Sequence, residues 1–172
     1  ANLTPFASSI GPRDQQEVEA RADVLVYNTP VLEDAVEVTG PITAILYVAS
    51  SATDIDITCK LVDVYPDGRA MLLTDGILRL RYRHSFEQPM RMTPGDVVEA
   101  HVDLWSTANV FLPGHRVRIE VSSSCFPKFA RNSNTGGDVA GEGLADYEKA
   151  VNRIYHDSTY PSHIILPIIE RT

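Results

Sequence analysis

Apolar residues recur at every second position along most of this chain, the period of a half-buried β-strand. Residues 24–27 form a short apolar run, Val24-Leu25-Val26-Tyr27, closed by Asn28-Thr29-Pro30. A second run at 36–38 stops at Gly40-Pro41. The next strand, 42–50, sets Ile42, Ala44, Leu46 and Val48 on one face. In 54–64, Ile55, Ile57, Cys59 and Leu61 share a face, while Val62 lies on the other with Val64. Apolar residues on both faces predict a central strand covered on both sides. Pro66-Asp67-Gly68 is a hairpin turn signal, 69–74 is the return strand, and Asp75-Gly76 reads as a second tight turn. Leu78, Leu80 and Tyr82 then alternate with Arg79, Arg81 and Arg83. Pro94-Gly95 opens a strand at 97–104 with Val98, Ala100, Val102 and Leu104 inward. Pro113-Gly114 opens another at 116–123 with Val117, Ile119 and Val121 inward. Residues 125–142 are a polar loop, 144–153 a short helix, and 163–169 a last apolar strand.

About nine or ten short strands separated by Gly/Pro turns, with no helical run long enough for a parallel crossover, predict an all-β fold. The expected architecture is an antiparallel β-sandwich of two sheets, a jelly roll. Before the first strand, Gly11-Pro12 marks a turn and 14–21 is polar enough for one or two helical turns only. This divides the chain into an N-terminal arm, 1–22, and the sandwich, 23–172.

Composition narrows the class of function. Hydrophobic residues make up 44% and charged residues 22%, as in an ordinary folded domain. The net charge of −8 argues against nucleic acid and against anionic membranes, both of which require Lys/Arg excess. No apolar run reaches the roughly 20 residues that span a bilayer. The first twenty residues lack an apolar signal core, and the initial Ala fits a processed or excised segment. A cytoplasmic location is the working expectation. The two cysteines, Cys59 and Cys125, sit in strand-like runs and read as buried free thiols or, less simply, one disulfide.

The search for chemistry finds no active constellation. A serine nucleophile on a strained turn reads Gly-x-Ser-x-Gly, and that pentapeptide is absent; Ser122-Ser123-Ser124 reads as a polar strand end. The five histidines show no His-x-x-x-His or His-Glu-x-x-His spacing, so surface or loop positions are expected for His101, His115, His156 and His163. Asp54-x-Asp56 reads either as half of a calcium site or as a loop supported by its own Asp. Gly136-Gly137 lacks the Lys-Ser/Thr of a phosphate loop. Trp105, the single tryptophan, follows an inward Leu104 and is expected to cap the core. No catalytic residue, cofactor site or metal site is assigned. The Arg79/Arg81/Arg83 stripe is either a solvated face or a contact with an acidic neighbour through bidentate carboxylate pairs.

Three long strings carry a resemblance: VEVTGPITAILYVASSATDIDITCKLVDVYPDGRAMLLTDGILRLRYR, DLWSTANVFLPGHRVRIEVSSSCFPKFARNSNTGG and YPSHIILPII. In this order they resemble the C-terminal domain of the cocaine esterase / X-Pro dipeptidyl-peptidase (CocE/NonD) hydrolases, over roughly residues 11–171, and the bacterial esterase branch more than the peptidase branch. The resemblance implies a three-part serine hydrolase: an α/β-hydrolase domain carrying Ser, Asp and His, a helical cap, and a jelly roll of galactose-binding-like type packed on both. The triad lies upstream, so this segment alone is expected to be inactive. The resemblance also places a substrate-pocket edge just before the Gly-Pro-x-Asp-Gln motif, here Gly11 to Gln15, with Leu3 and Phe6 as the apolar candidates. The expected domain interface comprises Arg79, Arg81, Arg83, Arg13 and Asp14, with the catalytic and cap domains of the same polypeptide as partners. A stand-alone carbohydrate-binding module is the alternative. In the isolated chain the arm is expected to be loose and the three arginines solvent-exposed.

Overall fold

The computed structural model describes residues 11–138 and 140–170; Leu3 and Phe6 lie outside them. A four-residue helix α1 (Gln16–Glu19) precedes the strands β1 (Leu25–Asn28), β2 (Val36–Ser50), β3 (Asp56–Val64), β4 (Ala70–Arg79), β5 (Val98–Phe111), β6 (Arg116–Ser122), β7 (Asn152–Tyr155), β8 (His163–Ile165) and β9 (Ile168–Ile169). The first sheet runs β1-β6-β3-β4 and the second β5-β2-β7, with β8 and β9 also paired to β2. Every pairing is antiparallel. The result is the expected antiparallel sandwich. Its core is built from the alternating inward positions, Ile42, Ala44, Leu46 and Val48 of β2 facing Ile57, Cys59 and Leu61 of β3. As its two-sided apolar pattern predicts, β3 is buried at all nine positions. Both thiols are free, Cys59 in the core and Cys125 half-buried in the loop after β6.

Several local expectations are corrected. Gly40-Pro41 does not end a strand: β2 runs through it, and the register shifts between Pro41 and Thr43. Opposite that shift Trp105 takes a φ of 63° and turns outward, 72% exposed, so it does not cap the core. An extra residue in a bulge redirects the side chain that follows. Asp75-Gly76 is not a turn either. Both residues lie within β4, and Gly76 is there because β4 approaches β5 of the other sheet at backbone distance. Thr74 Oγ1 donates to the Leu104 carbonyl beside it, at 2.5 Å. This meeting of edge strands closes one side of the sandwich. On the other side, Tyr27, Ile119 and Val121 stand apart from Ile154 and Ile164, leaving an apolar cleft of about 290 Å³. The helix expected at 144–153 is one 3-10 turn at Leu144–Asp146, followed by strand β7. The hairpin at Pro66-Asp67-Gly68 forms as read, with Gly68 at φ 93° and its N–H donating to the Tyr65 carbonyl.

The described part of the arm is not loose. Gln15 N–H donates to the Ala70 carbonyl at 2.8 Å, Leu72 N–H to the Arg13 carbonyl at 3.0 Å, and Ala70 N–H to Asp14 Oδ1 at 3.0 Å. Arg13 to Gln15 thus extends the first sheet beyond β4, satisfying an edge that would otherwise be unpaired.

Candidate functional site

Alternation on β3 puts Asp56, Thr58 and Lys60 on the face opposite the core, and the register sets Arg79, Ile77 and Asp75 beside them on β4 and Ser122 and Glu120 on β6. This outer face is polar, yet Asp56, Thr58, Lys60 and Glu120 are all buried. The arm and α1 cover one part of it and the loop after β6 covers another.

At one end lies a charged web. Arg79 Nε and Nη2 reach Asp56 Oδ1 and Oδ2 at 2.8 and 3.0 Å, a bidentate pair. Asp54, fully buried, accepts from Arg81 Nε at 2.6 Å and from the Arg81 backbone N–H at 2.9 Å. Asn132 Nδ2 bridges the two carboxylates, 2.9 Å from Asp54 and 2.8 Å from Asp56. Arg81 Nη1 also donates to the Gly137 carbonyl at 3.0 Å, and Arg83 Nη1 to the carbonyls of Leu80 and Met90. The hydrogen bonds it donates to Asp56 raise the Arg79 guanidinium above its ordinary pKa, keeping it charged.

The exposed arginine face is therefore corrected. The strand ends at Arg79, and Leu80–Tyr82 is a 3-10 turn, so the alternation with Leu78, Leu80 and Tyr82 does not continue along a sheet. Arg79, Arg81 and Arg83 are part-buried, and the carboxylates that Arg79 and Arg81 meet are the chain's own. The calcium reading of Asp54-x-Asp56 is corrected for the same reason: guanidiniums and an amide hold those oxygens. His115 lies in the loop between β5 and β6, as expected, but not at the surface. It is buried between hairpin ends, with Nδ1 2.8 Å from Asp63 Oδ1 and its ring 4.4 Å from that of Tyr65.

Under α1 sits a second web that the pattern did not single out. Lys60 Nζ donates to Gln15 Oε1 at 2.7 Å and to Glu120 Oε2 at 3.1 Å, and Arg118 Nη1 donates to Glu19 Oε2. Burial first, then the contact with Glu19, pushes the Glu120 carboxyl up to about 7, against the opposing pull of Lys60. The signal for it was present: Lys60 is a charged residue on a strand read as covered on both faces, and a buried cation requires partners.

Beside Gln15 and Lys60 of this second web the face opens into a cleft of about 540 Å³ where the arm enters, bordered by Gly11, Arg13, Asp75, Cys125, Phe126 and Lys128. Phe126 is 64% exposed at its rim. Arg13 and Asp14 are exposed beside it. Nothing here assembles a nucleophile: among the described residues no hydrogen bond joins a Ser or Cys to a histidine. Ser122 Oγ pairs with Thr58 Oγ1 at 2.6 Å and Ser123 Oγ accepts from Asn152. Among the described residues, no group of three or more His, Cys, Asp or Glu could hold a metal ion, and no helix is long and apolar enough to cross a membrane.

The polar groups of this sandwich are tied into structural pairs, and the comparisons place the chain in a family of C-terminal non-catalytic domains. The profile of the X-Pro dipeptidyl-peptidase C-terminal non-catalytic domain matches residues 3–165, and the chain belongs to that family. Over 161 residues it is 55% identical to the cocaine esterase of Rhodococcus sp. (strain MB1 Bresler), a match spanning 94% of this chain and 28% of that protein. An aminopeptidase from a marine sediment Thaumarchaeota archaeon superimposes with a TM-score of 0.88 at 33% identity, over 92% of this chain and 28% of its own. An α-amino acid ester hydrolase gives a TM-score of 0.88 at 34% identity, over 91% and 27%. The chain thus spans a little over a quarter of the length of these relatives.

Proposed function

We propose that this chain is the docking domain of a serine esterase or amidase, packing on the catalytic α/β-hydrolase and cap domains of the same polypeptide through the outer face of the first sheet. The observation that carries this reading is the point of entry of the chain. The family domain is C-terminal, so the rest of the polypeptide leads in through Gly11, beside the cleft and the exposed ring of Phe126. An exposed aromatic at the mouth of a cleft is the composition of an interface anchor. Arg13 and Asp14 border the same entry. Arg79 ends β4, and Arg81 and Arg83 follow in and just after the 3-10 turn; their role in the proposal is to hold residues 54–56 and the 136–137 loop rigid. Leu3 and Phe6, which come before Gly11 in the sequence, are kept in the proposal as the edge of the substrate pocket. The division into an arm, 1–22, and a sandwich, 23–172, belongs to the same proposal, as does a cytoplasmic location.

Phe126→Asp tests it. In the full-length polypeptide we expect a lower melting temperature and a fall in kcat/KM, while the isolated 172-residue chain melts unchanged. Equal melting shifts in both, or none in either, would refute docking at this face.

The isolated chain is also expected not to react with a fluorophosphonate probe or to hydrolyse p-nitrophenyl acetate above a protein blank; stoichiometric serine labelling is the contrary result. The tyrosines of the second sheet do not form the flat platform that the carbohydrate-module alternative requires. The aromatic cluster on the second sheet, Tyr47, Tyr155 and Tyr160, is half-buried, with rings tilted by 46° and 59° rather than coplanar.

A further inference from the structure

Glu19 on α1 and Glu120 on β6 meet beneath the arm with one oxygen each already engaged, Glu19 Oε2 by Arg118 and Glu120 Oε2 by Lys60. The remaining two, Glu19 Oε1 and Glu120 Oε1, are both buried and have no partner, and Arg118, which holds Glu19, stands two residues from Glu120 on the same face of β6. Two buried carboxylate oxygens cannot satisfy one another, since both only accept and their charges repel. One proton between them removes both defects, because a protonated carboxyl donates to the ionised one.

We propose that Glu19 and Glu120 share a single proton in a carboxyl–carboxylate hydrogen bond, a latch that fastens α1 and the entering chain to the first sheet and that opens when the proton is lost.

The surroundings decide the balance. Lys60 from β3 favours ionisation of Glu120, while Arg118 from β6 is engaged by Glu19. Lys60, however, also serves Gln15 at the shorter distance, 2.7 against 3.1 Å. Asp75 of β4 stands opposite Lys60 in the register and is held by Lys128 of the following loop. Cys59 lies on the core side of β3 with its thiol pushed up to about 12, by burial first and by Glu120 second. Glu17 of α1 is exposed. Burial outweighs Lys60 and holds the Glu120 carboxyl up near 7, as described above. A raised carboxyl stabilises the folded chain fully below the ordinary carboxylate pKa, and that contribution is lost as pH rises through the folded value. The latch is therefore closed in mildly acidic solution and released on passing neutrality. It is a property of this chain alone and stands apart from the docking reading.

The test is a carboxyl-carbon NMR titration of the isolated chain, with Glu120→Gln used to assign the resonance. Glu120 should titrate with a midpoint near 7. In Glu19→Gln, where the amide donates to Glu120 Oε1, the midpoint should fall by about one pH unit or more. Amide protection at Val18, Glu19 and Ala20, whose N–H groups donate to the carbonyls of Gln15 and Gln16, should decline from pH 6 to 8 beyond intrinsic base catalysis in the unsubstituted chain and not in Glu19→Gln. A midpoint in the ordinary carboxylate range, or one that Glu19→Gln leaves in place, overturns the shared proton. Should that variant fail to fold, the titration of the unsubstituted chain decides alone.

Discussion

Gly76→Ala will unfold this domain or destabilise it by about 3 kcal/mol or more, the upper range for forcing an extra methyl into a packed interior. A Cβ at this position would sit 2.0 Å from the Asp103 carbonyl oxygen and 2.8 Å from its carbon. Neither side has room to yield. Asp103 is in β5, whose backbone is registered to β2 through Thr43, and Gly76 is in β4, registered to β3 through Cys59. Relief would require the sheets to separate where their edge strands close the sandwich, and Thr74 would lose its bond to Leu104. At roughly 2–4 °C per kcal/mol for a domain of this size, melting should drop by about 6–12 °C or more. Thermal unfolding followed by circular dichroism gives the answer, and a Gly76→Ala domain melting with the unsubstituted one would show that the approach of β4 to β5 is not as described.

Asp54→Ala is expected to cost about 3–5 kcal/mol, the usual penalty for removing one member of a buried charged pair. Asp54 is fully buried and accepts three hydrogen bonds, two from Arg81 and one from Asn132. Without it the Arg81 guanidinium, whose side chain is only 14% exposed, keeps its charge and loses its counterion. Arg81 Nη2 is already without a partner, so no spare acceptor is at hand. Asp67→Ala is the control. Asp67 pairs with Arg69 at 2.8 Å, but both are more than half exposed, and solvent screens such pairs. Guanidinium chloride midpoints measured on both variants should separate them clearly; equal shifts would mean that the buried web contributes no more than a surface ion pair.

The strands were legible because a two-residue period in a half-buried sheet is written directly in the apolar pattern. Ile42 to Val48 and Ile55 to Leu61 are the clear cases. Errors arose where one local composition serves two physical purposes. Asp75-Gly76 has the residues of a tight turn, but glycine is equally the residue for two backbones in near contact, and only the other sheet distinguishes these. Alternating Leu and Arg from 78 to 83 matches a strand, yet the backbone bends after Arg79, where Leu80 N–H donates to Ile55 and Arg81 N–H to Asp54. These are contacts across more than twenty positions of sequence, beyond the reach of periodicity. Of the candidate site, Arg13 and Asp14 were singled out through the Gly-Pro-x-Asp-Gln motif. Of the Glu19–Lys60–Glu120 web only Lys60 carried a signal, as a charge on a strand read as covered; its partners Glu19 and Glu120 did not, because their burial depends on what lies over the sheet.

The outward turn of Trp105 has an optical consequence. As the sole tryptophan, it carries the chain's indole fluorescence, and 72% of it is already in water in the folded domain. Its emission therefore scarcely registers the core, and denaturation monitored at that wavelength understates the transition seen by backbone signals. The same indole becomes a selective reporter for whatever covers the outer side of β5: a blue shift or quenching there signals contact at that surface while the fold itself stays silent.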